Sequence, residues 1–276
     1  PLLVTGHGLD LASPQVQALL DERRYPFFGS GAVRTPEGAL SFVYKAAAEI
    51  GELGDNTAAI RSAVLGDELL HLALESPHAW TMVLGHTRWA SVGIISEANA
   101  HPQSSEELAA VSALQRGSTG GDTQPFTTAV LNGDVDNHAD LAAAETLQLP
   151  AEVTTDAKVI PVLWSRRLAE GQDSEVAFRN AVAPMEGSVA IAANSAARPG
   201  ELMLALRGSG QALYVGLADD AFVIASEPYG VIEETASYVR MDGETPSDPA
   251  NANATRGQIV RLDASAAGSL AGITRW

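Results

Sequence analysis

The sequence predicts an α+β fold in which helices cover antiparallel sheets. Two observations carry that expectation. The first two thirds of the chain mixes short strand-like apolar runs with stretches of helical periodicity. From Glu186 onward it breaks into short apolar runs separated by Gly, Asp, Ser or Pro, as hairpins require. Hydrophobic residues are 46% of the 276, enough for a sizeable buried core.

In chain order, "PLLVTGHG" reads as a short buried strand, and "SPQVQALLDERRY" as a helix with Ser13 as N-cap and Pro14 as first helical residue. "GALSFVYKAA" is rich in strand formers, and "TAAIRSAVLGDELLHLALE" has the spacing of one or two helices. "AWTMVLGHTRWAS" is a strand running into a turn. The polar residues 103–127, with Gly-rich and Pro-containing ends, read as a long surface insertion with a short helix. "TTAVLNGDV" enters an Asn-Gly turn and "NHADLAAAETL" is a capped helix. "TTDAKVIPVLWSRRLAEG" has Asp156 near its helix start and Gly171 near its stop. The apolar runs "GSVAIAANS", "ELMLALRGSG", "QALYVGLAD", "AFVIASEP" and "YVRMDGE" follow as hairpin strands. The tail from about 246 reads as a linker. The chain is therefore expected to be one domain over 1–276, and an excerpt of a longer protein.

Charge narrows the function. Acidic residues number 34 against 17 basic, a formal charge of −17, which repels phosphate backbones and anionic lipid. No apolar run approaches the length of a membrane span, and the start lacks the pattern of a signal peptide. Without cysteine, disulfides, thiolate metal sites and a thiol nucleophile are excluded within this sequence. Nucleic-acid and membrane partners are not expected, nor is a cofactor. A cytoplasmic setting is the simplest expectation.

Five collinear motifs then carry a resemblance. "ERRYPFFGSGAV" parallels Tyr-x-x-Tyr-Asp-Ser-x-Gly, and "GHTRWASVG…NAHP" parallels Gly-His-Thr-Arg-Trp-Ala-Thr-His-Gly…Asn-Ala-His-Pro. "LNGDVDNHADL" parallels His-Asn-Gly-x-x-x-Asn-x-x-x-Leu, and "TTDAKVI" parallels Ser-Asp-Thr-Glu-Val-Ile. The runs "EGSVAIAA", "LRGSGQALYVGL" and "FVIASEP" parallel a hairpin region. In these the chain resembles the glutaminase domain of class II glutamine amidotransferases, most of all glucosamine-6-phosphate synthase. The resemblance implies an N-terminal-nucleophile hydrolase sandwich, a four-layer αββα arrangement of two antiparallel sheets. It also implies glutamine as candidate ligand and a sugar-phosphate isomerase module in the same longer chain. In that family an N-terminal cysteine attacks the glutamine side-chain amide, and the ammonia released passes to fructose 6-phosphate.

The resemblance assigns roles by position. Arg88 would grip the glutamine carboxylate with its planar fork; an ion pair is the ordinary alternative. Trp89 would be an apolar cover, or simply a core tryptophan, and Ser91 keeps a hydroxyl where the family has threonine. Asp156 would pair with the α-ammonium, and helix N-capping is compatible with that role. Asn132 and Gly133 match an oxyanion hole; a tight turn is the common reading of Asn-Gly alone.

Departures gather around the chemistry. Pro1 falls at the nucleophile position and has no sulfur or oxygen to attack with. Leu2 stands for glycine, Gly29 for aspartate, Val92 for one histidine and Leu131 for another. The expectation is a retained scaffold that has lost its reaction, or alternatively a glutamine-sensing or structural module. Other chemistries fit less well. Thr5 lies too far along the register to be a nucleophile. "DVDNHAD" has Ala139 where a calcium loop needs glycine, and His71, His78, His86 and His101 lack metal-ligand spacing.

Overall fold

The computed structural model describes residues 1–25, 27–47, 54–87, 93–115, 124–251 and 253–275. The strands, in chain order, are β1 (Leu2–Thr5), β2 (Val33–Arg34), β3 (Leu40–Phe42), β4 (Trp80–Val83), β5 (Gln103–Ser104), β6 (Thr127–Gly133), β7 (Val189–Ser195), β8 (Glu201–Arg207), β9 (Tyr214–Leu217), β10 (Phe222–Ala225), β11 (Tyr238–Arg240), β12 (Gln258–Asp263) and β13 (Ile273–Arg275). The helices are α1 (Pro14–Glu22), α2 (Asp55–Leu65), α3 (Glu68–Leu74), α4 (Leu108–Gln115), α5 (His138–Ala144), α6 (Val159–Ala169), α7 (Ser174–Val182) and α8 (Tyr229–Ile232).

Strand pairing is antiparallel throughout. A six-stranded sheet has the order β13-β12-β8-β7-β6-β5, a four-stranded sheet β2-β3-β1-β4, and a three-stranded sheet β10-β9-β11. Alternation along each strand sorts the side chains into layers. Ala129, Leu131, Ile191, Ala193, Met203 and Ala205 leave one face of the six-stranded sheet and pack on α6 and α7. Val130, Ala190, Ala192, Leu204, Leu206 and Val260 leave the other face. They meet Leu3 and Met82 of the four-stranded sheet, Val215 of the three-stranded one and Leu213 just before it. Val4, Leu40 and Phe42 point the opposite way, against Val16 of α1 and Leu69, Leu70 and Ala73 of α3. The result is the four-layer αββα sandwich, with its second β layer split between two sheets rather than made of one.

Local signals explain most helix boundaries. The Ser13 hydroxyl accepts from Val16 N–H, and Pro14 opens α1 as expected. The long stretch read as one or two helices is two, because the Asp67 carboxylate caps α3 by accepting from Leu70 N–H. Asp173 caps α7 in the same way.

Two expectations are corrected. Residues 103–107, read as the start of a surface insertion, are a buried edge: β5 pairs with β6, and Gln103, Ser105, Glu106 and Glu107 are all buried. Their polarity misled because each of these side chains finds a hydrogen-bond partner inside the protein, Gln103 through its Nε2. The tail read as a linker from about 246 is linker-like only in part. Residues 258–275 form β12 and β13 of the six-stranded sheet, and Val260 and Leu262 are core residues.

Candidate functional site

The β6 end is the best-defined part of the candidate site. Along β6 the residues alternate, so Leu131 enters the helix-side core while Asn132 shares the face of Val130, toward the other sheets. The leucine that stands for the family's histidine is therefore packed behind the sheet and does not line the space Asn132 faces. Gly133 sits at φ +111, and a Cβ there would stand 1.9 Å from the Ser188 carbonyl oxygen. The close approach of the strand before β7 thus requires glycine at this position whatever else it does.

Asp156 meets this strand end. It opens a 3₁₀ turn, Asp156–Lys158, ahead of α6, and is buried. Its Oδ2 accepts from Val135 N–H at 2.7 Å and its Oδ1 from the Thr155 hydroxyl at 3.3 Å. The N-cap alternative does not hold, since the carboxylate bonds a different segment and caps neither turn nor helix. Asn132, Gly133 and Asp156 are therefore gathered at one end of the six-stranded sheet.

Pro1 precedes β1 and is buried. It shares the parity of Leu3, which faces the six-stranded sheet, whereas Leu2 and Val4 face α1 and α3. The Pro1 carbonyl accepts from Leu84 N–H at 3.0 Å, which anchors the chain just after β4. Arg88, Trp89 and Ser91, with Val92, lie outside the described residues. Their two flanks are fixed: Leu84 on Pro1, and Gly93 on Thr154. Gly93 has φ +83, and a Cβ there would come within 2.9 Å of Thr154 Oγ1.

Asn99, quoted in a motif but given no role by sequence reasoning, is the clamp of this region. It is fully buried. Its Oδ1 accepts from Thr154 N–H at 2.7 Å and Thr155 N–H at 3.0 Å, and its Nδ2 donates to Ile94 O at 3.2 Å and Thr154 Oγ1 at 3.1 Å. One side chain thus ties the 93–97 segment to the residues immediately before Asp156. The Asn-Ala-His-Pro match was the available signal.

A set of buried charges was also missed. Arg34 donates to Glu106 Oε1 at 2.6 Å, and Glu107 takes Arg166 in a two-pronged pair at 2.7 and 2.9 Å. Lys45 donates to the Phe28 carbonyl at 2.8 Å, and burial, with neighbouring Lys158, pushes it down to about 7. Lys158 donates to Ser104 O at 2.7 Å and Glu106 O at 2.8 Å, and burial brings it down to about 8. These residues looked like surface polarity because their partners are distant in sequence.

Among the described residues no group of three His, Asp or Glu is arranged to hold a metal ion. In the stretch weighed as a calcium loop, Asn137 uses its side chain to bind Pro184 O and Glu186 N–H instead. No helix among the described residues is long and apolar enough to cross a membrane.

Comparison with known proteins agrees with the motif reading. The chain is 32% identical over 164 residues to a glutamine–fructose-6-phosphate aminotransferase (isomerizing) of Bacillus cereus, covering 59% of this chain and 24% of that protein. It is 30% identical over 165 residues to the enzyme of the same name from Methanothermobacter thermautotrophicus, again 59% and 24%. The chain matches about a quarter of the length of these relatives. No family model matches. Among solved structures, a glutamine phosphoribosylpyrophosphate amidotransferase from B. subtilis aligns over 79% of this chain and 38% of its own, at 17% identity and TM-score 0.49. An allosteric regulatory enzyme of purine biosynthesis aligns over 55% and 28%, at 19% identity and TM-score 0.41. In sequence, the chain is similar to glutamine–fructose-6-phosphate aminotransferases over the 59% that aligns.

Proposed function

We propose that residues 1–276 form a glutaminase-like domain that keeps a site for glutamine and has lost the thiol reaction. The observation that carries this reading is the meeting of Asn132, Gly133 and buried Asp156 at the sheet end, with Arg88 in a segment whose flanks rest on Pro1 and Thr154. In the parent reaction a cysteine sulfur attacks the amide carbon, ammonia leaves, and water then frees glutamate from the thioester. A proline side chain at that position supplies no attacking pair. Arg88 would hold the α-carboxylate, Asp156 the α-ammonium, Trp89 and Ser91 the body of the ligand. Asn132 and Gly133 would face the amide oxygen. The nitrogen acceptor of an intact parent would be fructose 6-phosphate on a sugar-phosphate isomerase module.

One observation favours a second reading, a purely structural module. The Asp156 carboxylate is already engaged by Val135 N–H and the Thr155 hydroxyl, so it is held in place without any ligand. Calorimetry with glutamine separates the two. The first reading expects binding at millimolar or tighter affinity, lost in Arg88→Ala, with no glutamate released. Absence of heat supports the structural module. Glutamate release by the wild type, abolished in Asn132→Ala, would overturn both.

A further inference from the structure

Lysine occurs only twice in this sequence, at Lys45 and Lys158, and every other basic side chain apart from histidine is arginine. Both lysines are buried, at 6% and 0% exposure, where an acidic chain of charge −17 offers ample surface for a cation. Buried lysine is uncommon because removing an ammonium from water is expensive unless a counter-charge replaces the water. Here the two ammonium groups flank one residue: Lys45 Nζ donates to the Phe28 carbonyl, and Lys158 Nζ lies 4.8 Å from the centre of the Phe28 ring.

Among the described residues neither ammonium has a carboxylate within ion-pair reach; their bonded partners are backbone carbonyls. The nearest carboxylates are committed elsewhere. Glu106 is paired to Arg34, Glu107 to Arg166, and Glu97 Oε2 accepts from Ser30 N–H. Among the described residues, counting Arg34, Lys45 and Lys158 against Glu106 and Glu97, with Glu107 and Arg166 cancelling, three positive charges face two negative ones when both lysines carry their protons. One positive charge is left over. Beside it lies a cavity between the sheets, walled by Lys45, Arg34, Thr128, Ser104 and Phe28, and by the Glu106 carboxylate that Arg34 neutralises. Its volume is about 20 Å³, above the roughly 10–15 Å³ that holds one water and far below the size of an amino acid.

We infer that this cavity is a binding site for a single small monovalent anion of halide size, held by Lys45 and balanced by the surplus charge of Lys45, Lys158 and Arg34. A halide takes donors from several directions and needs none of the geometry of a carboxylate, which suits an ammonium with N–H groups to spare. Lys45 and Thr128 are not among the residues assigned to glutamine, but Lys45 lies within electrostatic reach of Pro1.

Only two lysines make the test direct. Protein carrying isotope-labelled lysine gives two side-chain resonances, and their titration reports the proton on each amine. In gluconate, Lys45 is expected to lose its proton near neutral pH. Chloride or bromide, replacing gluconate at fixed ionic strength, is expected to move the Lys45 resonance saturably and to raise its midpoint by about one pH unit or more, tenfold in proton affinity. At pH 6 the same exchange should raise Tm by about 2–4 °C, and Lys45→Met should abolish both that rise and the bromide-line broadening seen with the wild type. An unmoved Lys45 resonance up to half-molar halide, or a Tm rise that survives in Lys45→Met, would overturn the assignment. The labelled wild-type titration decides the matter even if the variant does not fold.

Discussion

The two faces of the six-stranded sheet solve the problem of burial in opposite ways. On the helix side, Leu131, Ile191, Met203 and Ala205 meet Trp164 and Phe178, whose rings stand edge to face at 5.1 Å. The cluster itself is apolar, with charge meeting it only at its edges through Asp156 and the Arg261 pairs with Glu175 and Glu201, and its stability follows from apolar area removed from water, about 25 cal/mol per Å². On the side facing the other sheets, the layer near β5 takes in Arg34, Glu106, Lys45 and Lys158. Charges placed there recover at best what their dehydration costs. The first face accounts for the fold, and the second is where the sequence has accepted a cost for something other than folding.

The largest effect that could break this contrast is on the helix side. Trp164→Ala removes the biggest fully buried side chain among the described residues and leaves a cavity against Phe178, so it is expected to cost about 3–5 kcal/mol. Denaturant unfolding measures it through the midpoint at constant slope. A loss under about 1 kcal/mol would mean that α6 and α7 are not the main support of the sheet.

The next effect sharpens the other side. Lys45 and Lys158 titrate in the folded protein near 7 and 8, against roughly 10.4 when unfolded. Between these values the unfolded chain binds more protons, so stability rises with pH from about 7 to about 10. The gain should be several kcal/mol for the pair, about 8 kcal/mol at most. Tyr44, held above the usual phenol range by burial and by Asp67, opposes the trend only beyond pH 10. Chemical unfolding in gluconate buffers from pH 6 to 10 reads the slope directly. A flat profile would show that the lysines keep their protons without help.

The same contrast explains what could be read from the sequence. The hairpins after Glu186, the Ser13 and Asp67 caps and the alternation along β6 are local signals, and each element formed where its own residues indicated. Asn132, Gly133 and Asp156 were found through motifs spread along the chain, and their meeting at one sheet end follows from β6 and α6 lying side by side. Asn99, Glu106 and Lys158 were not identified, because what makes them important is a partner 54 to 72 residues away. A polar residue buried by a distant partner has the same local pattern as one left in water. That is why 103–107 looked like surface, and why the final strands, with polar residues interleaved, looked like linker.

The smallest expected effect tests whether burial, and not charge pairing itself, separates the two regions. Arg24, just past the end of α1, and Asp21 in its last turn form a pair of 2.7 Å, with the Arg24 side chain half-buried and the Asp21 carboxylate exposed. Its geometry matches that of the Arg23–Asp67 pair, also 2.7 Å, but Asp67 is buried and additionally accepts from Tyr44 and Leu70 N–H. Water and salt screen the exposed pair, so Arg24→Ala should change stability by no more than about 0.5 kcal/mol. Arg23→Ala leaves a carboxylate inside the protein short of its counter-ion and should cost several times as much. Measured side by side in low and high salt, only the first should respond to ionic strength. Equal losses would mean that the distance between charges matters more here than the medium around them, and the division of the molecule into a dry face and a charged one would lose its physical basis.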